Sequence, residues 1–460
     1  MTSIKEQENT HVKKSIVVLT GLVGIALGVG ALGAATAAAS NGNKAPAGTA
    51  SGTIVVAWNQ ELLHIVQTPG AQPATIHATR SFAILHAAIY DSVVSITKDD
   101  AAYLVLVKAA RSARADAAAA QAGHDALAAL YPAQQAEVDS LLNTELASIP
   151  DGKAKQQGIQ VGRDVAARLL ALRAGDGSAA TPPPFVAGTQ PGDYRPTPPA
   201  FAPPVFTGWA NVAPFVLDKA SQFRPEAPPA VTSAAYANAL NEVKSLGQDT
   251  STTRTADETV AAKFWAGPIW NTWNEIADRA ALARHSDLET TSRLFAVLNL
   301  TFADSVIAFY DAKYNFAVWR PITAIRLGDS IGNMAITGDP TWTSLATTPA
   351  DPSYPGAHSV ISEAGATVLS SFFGDGAQVA VTSDVLPGTS RLFNSYQAVA
   401  TEAGLSRIFA GVHTRIDHNA GLILGQEVAQ FVLRRSKTGD FGAATRSAGS
   451  GSPAVGIGGY

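Results

Sequence analysis

The sequence predicts an all-α protein: a large multi-helix bundle of roughly ten helices, crossed by a proline-rich extended strap. Three observations lead there. Apolar residues recur at helical spacing through most of the 460 residues, while alternation with period two is nearly absent. Half of the 26 prolines fall between Pro182 and Pro229, which leaves the rest of the chain free to be helical. At 46% hydrophobic and 15% charged, the chain can bury a sizeable core without being membrane-like throughout.

Taken in order, the chain opens with Lys13-Lys14 ahead of an apolar stretch, Ser15 to Ala39, that closes on the small residues Ala37-Ala38-Ala39-Ser40. Residues 1–39 therefore read as a signal peptide, with the protein exported (periplasmic or extracellular) and no stable membrane span left after cleavage. Residues 40–52, small and polar, read as a linker, and 53–436 as one all-helical catalytic domain. Its first half shows helical spacing at Thr75–Ile96, Leu104–Leu130, Gln134–Ile149 and Lys153–Arg173, until Gly175-Asp176-Gly177 stops it. The strap, 182–229, carries Phe185, Tyr194, Phe201, Phe206 and Trp209. That is too aromatic for a disordered linker, so it is expected to lie ordered across the helices, at a pocket rim. Helical signals resume at Thr232–Leu246, Thr255–Trp265, Trp270–Arg284 and Leu288–Val318. After a loop over 328–354 they return at His358–Phe373, Phe393–Ala403 and Thr414–Arg435. The Gly/Ser/Ala-rich tail, 437–460, is expected to be disordered.

Composition also excludes classes of function. With no cysteine there is no disulfide, thiolate metal site or cysteine nucleophile. A net charge of −4 without any long basic run argues against a nucleic-acid partner. Only two methionines leave little that an oxidant would readily damage, which suits an enzyme handling peroxide. Large exposed helix faces are compatible with a homodimer.

Three segments carry the chemistry. In Lys313-Tyr-Asn-Phe-Ala-Val-Trp-Arg320-Pro321 the two cations are seven residues apart, two turns along one helical face, with Phe316 and Ala317 beside them as pocket wall. Pro321 pushes Arg320 out of helical geometry, so its planar fork can swing into a site that Lys313 serves as a point charge. Pro355-Gly356-Ala357-His358 opens a helix whose first N–H groups have no helical partner, and small residues there let an anion approach. In Ser406-Arg407-Ile-Phe-Ala-Gly411-Val-His413-Thr-Arg-Ile-Asp417, Gly411 supplies a break that lets Arg407 and His413 converge. His413 and Asp417, four apart, stack on one helical face. The carboxylate can then accept from Nδ1 and leave Nε2 unprotonated for a metal or an electrophile. Three cations, two histidines, a carboxylate and free N–H groups suit a tetrahedral oxyanion. Of the other histidines, His86 reads as a satisfied core residue and His418 faces away from Asp417. His64, His77, His124 and His285 lack partner spacing. Trp265, Trp270 and Trp273 read as core packing that could line a pocket.

These segments resemble the signature of vanadium-dependent haloperoxidases and type-2 phosphatidic acid phosphatases: K-x6-R-P, P-S-G-H and S-R-x5-H-x3-D. The first and third parts match in full, whereas Gly356 and Ala357 stand where the family usually has Ser and Gly. The likeness extends to Phe82–Asp91, Asp193–Pro204, Phe264–Ala277 and Ser406–Glu427, and so covers nearly all of the chain after the signal. The resemblance implies a vanadate cofactor whose metal is bound by His413. Lys313, Arg320, Arg407 and the N–H groups of Gly356 and Ala357 would hold its oxygens, His358 would act as acid/base, and Asp417 would orient His413. The lost serine would cost one hydroxyl hydrogen bond, ~0.5–1.5 kcal/mol. The activity implied is oxidation of halide by hydrogen peroxide. One alternative is an acid phosphatase that cleaves a phosphate ester through a phosphohistidine at the same site. A second is an oxyanion-binding protein without turnover, for which an oriented, unprotonated imidazole would serve no purpose.

Overall fold

The computed structural model describes residues 51–71 and 77–442. The expected signal peptide, most of the linker and most of the tail lie outside the described residues. The described residues belong to one unit beginning at Thr49, and they contain thirteen α-helices and a single two-stranded hairpin.

The first half comprises α1 (Thr53–Gln67), α2 (His77–Thr97), α3 (Ala115–Leu130), α4 (Gln135–Ala147) and α5 (Lys153–Arg173). The second comprises α6 (Ala234–Leu246), α7 (Ala256–Phe264), α8 (Ile269–Ala283), α9 (Leu288–Phe316), α10 (Pro321–Arg326), α11 (Ala357–Phe373), α12 (Tyr396–Phe409) and α13 (Arg415–Thr438). Strands β1 (Val379–Thr382) and β2 (Ser390–Phe393) pair antiparallel between α11 and α12. The boundaries follow local chemistry. Asp287 caps α9 through the Thr290 N–H at 2.8 Å, and Thr255 with Glu258 and Thr414 with Asp417 form reciprocal capping boxes on α7 and α13.

Helix α9 is the spine. It packs against α2 on one side and α11 and α13 on the other, and is buried nearly all round. By length and composition it alone among the described helices could cross a membrane, yet 94% of its apolar window lies inside the protein, as for a core helix.

The two halves repeat one plan. Phe82-Ala-Ile-Leu-His-Ala-Ala-Ile-Tyr-Asp91-Ser-Val of α2 matches Phe295-Ala-Val-Leu-Asn-Leu-Thr-Phe-Ala-Asp304-Ser-Val of α9 at the Phe, Ala, Leu, Asp, Ser and Val positions. The two aspartates do the same work. Buried Asp91 accepts the N–H groups of Tyr103, Leu104 and Val105 at 2.6–3.0 Å, and buried Asp304 those of Phe215, Val216 and Leu217 at 2.6–2.8 Å. Each anchors an irregular segment to a core helix. Trp58-Asn59 of α1 and Trp273-Asn274 of α8 also correspond: Asn59 meets His86 at 3.0 Å and Asn274 meets Asn299 at 2.9 Å. A Cβ at Gly123 of α3 would come within 2.7 Å of the Trp58 ring, and one at Gly365 of α11 within 2.6 Å of the Trp273 ring.

Several expected boundaries change. Residues 104–114 are not helical: the N–H groups of Leu104 and Val105 go to Asp91, that of Val107 to Ser95 and that of Arg114 to Ala154 O. Ser51 and Gly52, expected in the linker, already pair with the α8–α9 corner, where the Gly52 N–H reaches Ser286 O at 3.1 Å. At the other end α13 continues to Thr438, and Phe441 is buried against Tyr90 and Tyr103 rather than belonging to a free tail. The segment 182–229 is irregular except for a 3-10 turn at Trp209–Asn211.

Candidate active site

The three signature segments meet in one cavity of about 330 Å³, lined on its polar side by Lys313, Arg320, Asp351, His358, Arg407 and His413. Phe206 of the strap, Trp270, Phe309 and Tyr310 supply aromatic lining.

Lys313 and Arg320 converge, although not on one helix. Helix α9 ends at Phe316, Ala317 turns left-handed (φ 44°, ψ 50°), and Arg320 becomes the N-cap of α10. The strap fixes this turn: Tyr194 N–H donates to Ala317 O at 2.6 Å and Trp319 N–H to Gly192 O at 2.9 Å. In consequence Phe316 and Ala317 do not wall the cavity, and Phe316 packs edge-on against Tyr354. Arg320 is fully engaged: Nε donates to Asp351 O at 2.7 Å, Nη1 to Val412 O at 2.8 Å, and Nη2 to the Asp351 carboxylate. Lys313, with no exposure, donates to Pro352 O and lies 3.3 Å from Asp351 Oδ2.

Arg407 comes from the last turn of α12, and Gly411 (φ 78°) then redirects the chain toward α13. His413 precedes the α13 N-cap, Thr414, and Asp417 is the third residue of that helix, so they meet across its N-terminus rather than on a helical face. Asp417 Oδ2 lies 3.3 Å from His413 Nδ1 and accepts the Thr414 N–H and the Ser353 hydroxyl, each at 2.7 Å. His413 Nε2 is 3.2 Å from Arg320 Nη1. A guanidinium only donates, so Nε2 is the unprotonated nitrogen and Nδ1 carries the hydrogen toward Asp417. Burial and the charges of Arg320 and Lys313 push His413 down to about 3 against the pull of Asp417, which keeps the ring neutral.

His358, on the first turn of α11, points Nε2 at Trp265 O at 2.9 Å. A carbonyl only accepts, so Nε2 holds the hydrogen and Nδ1 the lone pair. Burial, Arg407 and His413 hold its protonation well below the ordinary histidine range. Ala357 lines the cavity at the same helix end. Gly356 does not: its N–H donates to Asp417 O at 2.9 Å, so it braces the α13 terminus and is not available to an anion.

Sequence reasoning missed Asp351, Ser353 and Tyr310. Asp351 is held below the usual carboxylate range because Lys313 and Arg320 outweigh its burial. The signal lay in Asp351-Pro-Ser353-Tyr-Pro355, directly ahead of the second motif, inside a stretch read only as loop. Among the remaining histidines, His64 pairs with Glu137 and His124 with Asp125 and Asp139, whereas His86 has an unpartnered Nδ1. Trp270 lines the cavity, while Trp265 and Trp273 are core residues.

The site fits a tetrahedral oxyanion such as vanadate. Three buried cations and the α11 N-terminus surround one space, the unprotonated His413 Nε2 faces Arg320, and Arg407 Nε and Nη1 are buried donors with no acceptor in the protein.

Residues 293–438 match the family model described as the VCPO second helical-bundle domain. The structure is similar to that of the first bacterial vanadium-dependent iodoperoxidase. The identity is 25%, over 84% of this chain and 96% of that one, with a TM-score of 0.74. The fold is also shared with holo- and apo-type bacterial vanadium-dependent chloroperoxidases, at 16% and 15% identity and TM-scores of 0.61 and 0.58. Those matches cover 81% and 78% of this chain and 96% and 94% of theirs. No curated protein matches the chain in sequence. In fold and in its second bundle the chain is vanadium haloperoxidase-like.

Proposed function

We propose that the protein oxidises halide with hydrogen peroxide at a vanadate held in this cavity. One observation carries the reading: three buried cations, one with two unclaimed donor groups, surround an imidazole whose Nε2 is unprotonated. The similarity to a vanadium-dependent iodoperoxidase over most of both chains supports it. His413 would be the metal ligand, with Asp417 and Ser353 fixing its ring. Lys313, Arg320, Arg407 and the Ala357 N–H would balance the charge of the oxygens. Bound vanadate supplies a Lewis acid that activates peroxide toward halide. His358, neutral and with its Nε2–H committed to Trp265, would take a proton from incoming peroxide on Nδ1 and return it later. The wall of Phe206, Trp270, Phe309 and Tyr310 would restrict water and strengthen the electrostatic contacts inside. Export rests on the segment Ser15–Ala39 and is likewise a proposal.

The test uses protein stripped of metal, assayed for iodide and bromide oxidation by peroxide before and after adding orthovanadate, with phosphate-ester hydrolysis alongside. Vanadate-dependent oxidation that His413→Ala abolishes is the expected result. Hydrolysis that vanadate inhibits, without halide oxidation, would overturn the assignment in favour of a phosphatase.

A further inference from the structure

The cradle contains a carboxylate among its cations. Asp351 accepts from Arg320 Nη2 and lies 3.3 Å from Lys313 Nζ, with Tyr310 lining the same cavity. Its carboxylate is buried and borders the cavity. Arg320 also holds the Asp351 backbone oxygen, so the group is clamped between two cations. A carboxylate offers about four lone-pair positions, and Arg320 Nη2 and Lys313 Nζ face two of them. A lone pair that faces the cavity can take a hydrogen that the ligand brings.

We propose that Asp351 makes the cradle selective for tetrahedral oxyanions that still carry a proton. Orthovanadate and phosphate do so near neutral pH, whereas sulfate and molybdate do not. The inference rests on the oxyanion reading above but not on turnover. An O–H of the ligand donates to Asp351 while its ionised oxygens take Arg407 and the α11 N-terminus. A fully ionised ligand brings a lone pair against a carboxylate, leaves the acceptor unpaired and adds like-charge repulsion. Molybdate, close to vanadate in size, separates protonation from size.

Calorimetric titration of the metal-stripped protein with the four anions near neutral pH tests this. The wild type is expected to bind sulfate and molybdate at least about a hundredfold more weakly than phosphate and vanadate, as sites built around a ligand O–H do. Asp351→Asn can donate an N–H instead, and should close that gap by about tenfold or more, chiefly by gaining sulfate and molybdate. Four anions bound by the wild type within about threefold of each other would overturn the proposal, as would an unchanged gap in the variant. The wild-type comparison stands alone should the variant fail to fold. No binding of any anion would overturn this inference and the oxyanion reading together. Selective binding without halide oxidation would support the inference and remove only the haloperoxidase reading.

Discussion

Arg407 is a buried cation with two N–H groups that no protein atom accepts, and such groups destabilise a fold until a partner arrives. An oxyanion should therefore raise the melting temperature of the wild type by mass action. Arg407→Met should melt at or above the wild-type temperature without ligand, a gain of about 1–3 kcal/mol, yet lose most of the shift that phosphate induces. A thermal-melt series with and without phosphate separates the two effects; a variant that melts lower in both conditions would contradict them. Lys313 gives a pH test. Burial and Arg320 lower it to about 8 despite Asp351, so the free site loses a charge as pH rises through that value. A bound dianion favours the protonated lysine and raises its pKa, so binding above about pH 8 must take up a proton. Phosphate affinity should fall by up to about tenfold per pH unit there and stay level just below, with proton uptake visible in buffers of different ionisation heat. The roles assigned to Arg407 and His413 could be argued from sequence because their spacing required the break that Gly411 supplies. Asp351 could not, since only the folded loop brings it between two cations already in view.

At the level of elements, helix positions were legible wherever apolar spacing was long and uninterrupted: α5 spans Lys153–Arg173 as its pattern indicates, and α9 starts at Leu288 as expected. Expectation and structure part where tertiary hydrogen bonds override spacing. The segment ahead of α3 looks helical by composition, but Asp91 takes the N–H groups of Leu104 and Val105 and Ser95 that of Val107. The hairpin β1–β2 has strands of four residues each, too short for alternation to register. The turn after Lys313 is the instructive case. No residue type there announces a left-handed position, and Ala317 occupies one where the strap's Tyr194 N–H bonds Ala317 O and its Gly192 O accepts the Trp319 N–H. A non-glycine residue in that region costs ~1–2 kcal/mol, part of which glycine returns through the greater freedom of the unfolded chain. Ala317→Gly is therefore expected to stabilise by about 0.5–1 kcal/mol in thermal denaturation while leaving phosphate affinity unchanged. A loss of stability would mean that the alanine methyl contributes more through packing than it costs in backbone strain. The strap's other anchor is testable too. Asp304→Ala strands three N–H groups, and should cost about 3–5 kcal/mol in denaturant unfolding.

For the whole molecule, the duplicated plan explains why so large a scaffold carries one site. Both halves keep the structural parts: an aspartate that anchors a segment, a tryptophan-asparagine pair, and a glycine that admits the tryptophan ring. The chemistry is confined to the second half. Shifted by the offset that aligns Phe82 with Phe295, Lys313 falls on Asp100 and Arg320 on Val107 of the first half. The repeat is visible in the sequence once α2 and α9 are laid side by side, but its anchors are lone residues far apart, which local periodicity does not relate. Equivalent lesions should therefore have equal structural and unequal functional effects. In Gly123→Ala and Gly365→Ala the new methyl would run into Trp58 and Trp273 at 2.7 and 2.6 Å, and overpacking of this kind costs about 1–3 kcal/mol. The two variants should melt at similarly reduced temperatures. Measured well below both transitions, Gly123→Ala should bind phosphate as the wild type does. Gly365→Ala should bind it several-fold more weakly, because α11 carries Ala357 and His358 into the cavity and positional errors of an ångström weaken such contacts sharply. Equal affinity in both variants would show that α11 holds its N-terminus independently of its packing on Trp273, and that the second bundle is more rigid at the site than its likeness to the first implies.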